Sequence, residues 1–167
     1  QNKFENSISS FSQSIKYNGN YAPAYYNLGV AFERTSKSKE SLSKALSAYR
    51  NAYRVDPSHE NSYAAAGRIL LKFEDYRGAI DAFSSAVKIK PEKIAFYEEL
   101  GVAYEKNGNY DEAENCFIKA LAGGTSSRPE KTYYNLANVL NKQNRNEEAL
   151  EYIEKAYKIA SNDEDIL

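Results

Sequence analysis

A five-residue pattern comes back along this chain, and it limits the possible fold more than any other feature. Leu100-Gly101-Val102-Ala103-Tyr104 has an earlier copy in Leu28-Gly29-Val30-Ala31-Phe32 and a later one in Leu136-Ala137-Asn138-Val139-Leu140. Gly67 lies 34 residues before Gly101, and Leu70 follows it as Tyr104 follows Gly101. Self-similarity at a period of roughly 20–50 residues means a solenoid or an array of stacked units. In such an array no unit buries its apolar face alone, so neighbours must stack.

The spacings sharpen the period. Ala45, Ala79, Ala113 and Ala149 are separated by 34, 34 and 36 residues, and Ala52, Ala86, Ala120 and Ala156 repeat that series. Tyr25, Tyr63, Tyr97 and Tyr133 are separated by 38, 34 and 36. A unit of 34 residues with two short insertions accounts for every offset. Four residues enter between the helices of the first unit and two enter the turn leaving the third. Both insertions are assigned to loops, where added length costs little.

Within each unit the apolar period is helical. Phe4, Ile8, Phe11 and Ile15 form one stripe over residues 1–21, closed by Tyr17-Asn18-Gly19-Asn20, with Gly19 suited to a left-handed cap. Helices follow at about 22–35, 60–73 and 76–89, and Pro23, Pro57 and Pro91 stand at segment ends. The segment 35–41 is polar and unpatterned. Asn109 and Glu112 have the spacing of a capping box. Gly or Ala in each first helix, opposite two Ala in the second, allows close approach of the axes. The four tyrosines above, with Tyr49, Phe83, Phe117 and Ile153, are expected to fill the space between successive units.

These residues carry a resemblance. Aromatic-x-x-Leu-Gly-x-x-Tyr, then Ala-x-x-x-Phe-x-x-Ala, then Pro near the end of 34 residues, resembles the tetratricopeptide repeat. Residues 22–59, 60–93, 94–129 and 130–163 read as four repeats, 1–21 as a half-repeat, and 164–167 as a tail or the start of another helix. The departures are Ala137 for Gly, Ala66 for Leu and Ser161 for Pro. The resemblance implies one all-α domain over 1–167, a right-handed superhelical solenoid of antiparallel helix pairs. The chain starts inside an amphipathic segment without a methionine and reads as a piece of a longer protein.

The same resemblance implies a concave groove lined by the first helices, holding a peptide or helix of a protein partner. Tyr26, Val30, Arg68, Lys72, Glu98, Val102, Glu105, Tyr134 and Asn138 are the expected groove residues, with Ala64 and Asn141 beside them. Tyr26 and Tyr134 are the candidate partner anchors. Arg68 and Lys72 are expected to face Glu98 and Glu105, either pairing with them or forming a bipolar groove. A Lys/Asn/Arg carboxylate clamp is disfavoured by Tyr26, Val30, Ala65, Glu98 and Glu99. An asparagine ladder, fitted by Asn27 and Asn135, is broken by Ala65 and Glu99.

Other chemistry finds little to stand on. The net charge of -1 sets up no field for nucleic acid, and no apolar run is long enough for membrane insertion. His59 has no second histidine for a metal or a base and reads as a turn residue. The lone Cys116 excludes an intrachain disulfide and favours a reducing compartment such as the cytoplasm, although periplasmic proteins also lack disulfides. No catalytic, cofactor or metal motif is expected, so the chain reads as a non-enzyme. Two alternatives accompany the binding module. One is self-association as a homo-oligomer through the terminal helices, 1–16 foremost, and the other is a substrate-recruiting segment of a larger enzyme such as a glycosyltransferase. Lys37, Lys39 and Lys44 flank the serines of segment 35–41, which is either a docking loop or a solvated linker.

Overall fold

In a computed structural model that describes residues 2–124 and 128–164, helices joined by short turns account for almost the whole chain. In chain order they are α1 (Asn2–Tyr17), α2 (Ala22–Thr35), α3 (Lys39–Val55), α4 (Glu60–Lys72), α5 (Tyr76–Ile89), α6 (Ile94–Asn107), α7 (Tyr110–Ala122), α8 (Pro129–Lys142) and α9 (Asn146–Glu164). No strand occurs among the described residues. Two compact units are resolved, Gln1–Ile89 with α1 to α5 and Lys90–Leu167 with α6 to α9. The turn residues 125–127 and the tail 165–167 lie outside the described residues.

In the first unit α2 packs on α3 and α4 on α5, while α1 covers α2 and α3 covers α4. The second unit repeats this with α6 on α7, α8 on α9, and α7 against α8. Alanines at the repeated positions make such pairs close. Ala45, Ala52, Ala79, Ala86, Ala113 and Ala120 are all fully buried. Phe117 anchors the second unit's core with Leu136, Ala137, Val139 and Leu140, all at most 1% exposed.

Phe117 reaches the next repeat, as expected, but the aromatic residues of the second helices also seat within their own repeats. A Cβ built on Gly29 would lie 2.5 Å from Cε1 of Tyr49, one on Gly67 2.8 Å from Phe83, and one on Gly101 2.7 Å from Phe117. Each ring therefore lies on the glycine of its own helix pair, filling the space that a side chain would take. The fourth pair departs from this at both positions. Ala137 replaces the glycine, and Ile153, expected in the core, is 44% exposed because no further helix among the described residues covers that face of α9.

Three local expectations are corrected. Gly19 is not in the left-handed region; among the described residues only Gly108, Gly124, Glu74 and Asn144 have positive φ. The α1 end is turned instead by Asn18, whose Oδ1 accepts from the Asn20 N–H at 3.1 Å. Asn109 occupies the N-cap of α7 without a side-chain cap, because its carboxamide oxygen accepts from the Asn107 side chain.

The third correction concerns the insertion in the first repeat, which extends a helix rather than a loop. Tyr76, Tyr110 and Asn146 open α5, α7 and α9 three residues before the repeated alanine, whereas Lys39 opens α3 six residues before Ala45. Ser38 caps this extra turn by accepting from the Ser41 N–H at 3.2 Å. Ser41, in a stretch expected to be unpatterned, is buried and donates to the Phe32 carbonyl at 2.6 Å, tying α2 to α3.

Candidate partner-binding surfaces

The first unit presents α2 beside α4. Two contacts fix their relation. The Tyr26 ring leans on His59 at the head of α4, with centroids 5.2 Å apart. Near the other end, Lys72 Nζ lies 3.3 Å from Glu33 Oε1. Early residues thus meet early and late meet late, so the two helices run parallel.

The four-residue spacings put Tyr26 and Val30 on one face of α2, and Arg68 and Lys72 on one face of α4. Arg68 and Lys72 are exposed, Tyr26 and Val30 half-buried. Tyr26 also leans on Tyr49, with centroids 5.5 Å apart, so it is held by two rings. Ala64, expected on the surface, is fully buried.

Beneath this face runs a polar chain. Tyr49 donates its hydroxyl to Glu33 Oε2 at 2.7 Å, and Glu33 accepts from Lys72 through its other oxygen. Burial foremost, then the bond to the Glu33 carboxylate, raises the Tyr49 pKa well above its ordinary value. Lys72 thus has a carboxylate partner within its own unit, from a residue not expected at the site. Glu33 was legible in principle: it follows Tyr26 by seven residues, two helical turns along the same face. His59 is a turn residue whose Nδ1 lies 2.8 Å from Ser62 Oγ.

In the second unit, the α6 and α8 residues divide between core and surface. Glu98 accepts from Thr132 Oγ1 at 2.9 Å, which ties the start of α6 to that of α8. Val102 packs against the Phe117 cluster, so it belongs partly to the core. Glu105 and Asn138 are half-buried. Tyr134 is 55% exposed and borders a largely apolar pocket of about 350 Å³ with Ile153, Ala156 and Tyr157 of α9. Its ring is therefore shared between the first-helix face and the α8/α9 face.

Exposed apolar surface is concentrated on α9, where Leu150, Ile153 and Tyr157 are all more than 40% exposed. The α1 stripe is different: Phe4, Ile8, Phe11 and Ile15 are half-buried, and α1 packs on α2. Ile15 borders a pocket of about 310 Å³ with Tyr25, Leu28 and Phe32. No group of three or more metal-ligating side chains occurs among the described residues, and no helix there is long and apolar enough to cross a membrane.

A family model for the tetratricopeptide repeat matches residues 93–162, and a second, for the TPR repeat, matches 67–108. Together they span more than half of the chain. The chain belongs to the tetratricopeptide repeat family. Its fold is the all-α TPR solenoid. Anaphase-promoting complex subunit 6 of Arabidopsis thaliana is 30% identical over 90% of this TPR chain. A TPR repeat-containing protein of Methanocaldococcus jannaschii is 30% identical over 66% of it. The chain spans only 28% and 19% of those two relatives.

Among solved structures, MamA superposes with a TM-score of 0.87 at 18% identity, covering 97% of this chain and 91% of that one. YrrB, described as a TPR protein with an unusual peptide-binding site, gives 0.82 at 22% identity, covering 95% of this chain and 78% of its own. At such identities these likenesses concern the fold.

Proposed function

We propose that this TPR chain is a non-catalytic protein-interaction module that takes a peptide or helix of a protein partner on its first-helix faces. Tyr26, Val30, Arg68 and Lys72 would serve on α2 and α4, and Glu98, Val102, Glu105, Tyr134 and Asn138 on α6 and α8. The observation that carries this reading is the parallel seating of α2 beside α4. It leaves a half-buried aromatic, Tyr26, at the start of this face and two exposed cations, Arg68 and Lys72, farther along it. An aromatic anchor with polar groups along the same face is a composition that suits a peptide-binding surface. Family membership supports the reading, as does the peptide-binding site reported for YrrB.

The test is selection of binders from a displayed peptide library, followed by titration of the selected peptide against wild type and a Tyr26→Ala, Tyr134→Ala double variant. Weaker binding by the double variant, with helicity unchanged by circular dichroism, supports the faces named. Equal binding by both proteins moves the site elsewhere.

A further inference from the structure

The extra turn of α3 creates a surface with no counterpart in the other repeats. Lys37 and Lys39 of the inserted segment, together with Leu42 just after the added turn, line a pocket of about 300 Å³ against Lys72, Phe73 and Glu74 at the end of α4. We propose that this pocket docks an acidic peptide segment carrying one apolar side chain. The site shares Lys72 with the first-helix face of the proposed function, but its other lining residues lie outside that face, and the proposal does not depend on that reading.

The charge balance points to an anionic ligand. Glu40 is taken by Lys44 at 2.6 Å, and Glu33 is shared by Lys72 and Tyr49. Neither Lys37 nor Lys39 has an ion-pair partner among the described residues. Glu74 is the one acidic residue in the pocket wall, against three lysines. Glu74 is exposed, and its backbone is held at φ 61 by the turn in which the Asp75 N–H donates to the Leu70 carbonyl.

The floor decides the class of anion. Leu42 is buried and Phe73 half-buried, which gives an apolar base under a cationic rim. A polyanion such as nucleic acid would leave that base unused and meet the Glu74 carboxylate. A peptide can place Asp or Glu against Lys37 and Lys39 and insert a leucine or phenylalanine above Leu42. The volume lies at the lower end of the roughly 300–1,000 Å³ of small-ligand pockets, which suits a side chain better than a large cofactor.

The probe is a fluorescein-labelled peptide of alternating Asp and Glu around one central Leu-Phe pair, titrated by fluorescence anisotropy. Wild type is expected to bind it, and Lys37→Glu with Lys39→Glu to weaken binding about tenfold or more. Both lysines are exposed, and glutamate in the first turn of α3 suits the helix dipole, so this variant keeps its fold. Replacing the Leu-Phe pair by alanines is expected to weaken binding, and raising salt to do the same. The Tyr26→Ala, Tyr134→Ala variant should bind the probe as wild type does. The proposal is overturned by absence of binding, by equal binding to the Lys37→Glu, Lys39→Glu protein, or by equal binding of the alanine peptide. A single-stranded oligonucleotide that displaces the peptide at equal charge would also overturn it.

Discussion

The Phe117 ring stands where a side chain on Gly101 would be, with Cε1 2.7 Å from the position of the missing Cβ. The pairs Gly67 with Phe83 and Gly29 with Tyr49 repeat the arrangement. An aromatic ring in a second helix needs a bare backbone in the first, and where Ile153 replaces the ring, Ala137 replaces the glycine.

Gly101→Ala should therefore destabilise the protein although alanine is the better helix former. Alanine gains up to about 1 kcal/mol in helix propensity. Displacing a packed ring costs about 1–3 kcal/mol. Urea unfolding should show a net loss that shrinks when Phe117→Ile is added, copying the fourth repeat. Additive effects in this double-mutant cycle would contradict direct coupling between residues 101 and 117.

Phe83→Ala and Ile153→Ala occupy one repeat position and should differ sharply. Phe83 is fully buried, and its removal should cost about 3–5 kcal/mol through the cavity left behind. Ile153 is 44% exposed, and its truncation should cost less than about 1 kcal/mol. Similar losses in thermal melts would mean that α9 is covered in solution.

Tyr49 links stability to alkaline pH. Its pKa is raised, first by burial and then by the hydrogen bond to Glu33, so the folded protein holds the phenol protonated where the unfolded chain ionises. The stability it contributes is complete below the ordinary tyrosine value near 10 and is lost as pH rises above that toward the folded value. Between pH 9 and 11.5, roughly bracketing that value, wild type should lose stability more steeply than Tyr49→Phe. Parallel curves would remove Tyr49 from the linkage.

Cys116 should resist alkylation. Burial pushes its thiol up to about 11, and the nearby Lys119 offsets this only in part. Iodoacetamide labelling at neutral pH should be slow and should speed up in step with urea unfolding. Fast labelling of the folded protein would mean that the α7 face opens readily.

Repeat period, helical stripes and aromatic positions were legible in the chain because stacking one unit on the next imposes the same small and large residues at each return. Tyr49, Phe83 and Phe117 could be named as core from spacing alone. Their seats could not, since Gly67 and Phe83 are brought together only by the α4/α5 pairing. The insertion near residue 36 was also legible, but a count of residues does not say whether they form loop or helix. Ser38 and Ser41 decided that, one by capping α3 and the other by bonding to the Phe32 carbonyl.

The sequence by itself determined the all-α repeat architecture, because period and burial pattern are one-dimensional properties; the first-helix faces became candidate sites only through the resemblance to the tetratricopeptide repeat. Tertiary structure decided which polar groups meet. It brought Glu33 between Tyr49 and Lys72, and set Lys37 and Lys39 opposite Phe73. Such contacts depend on distances between helices, and no spacing along the chain encodes those distances.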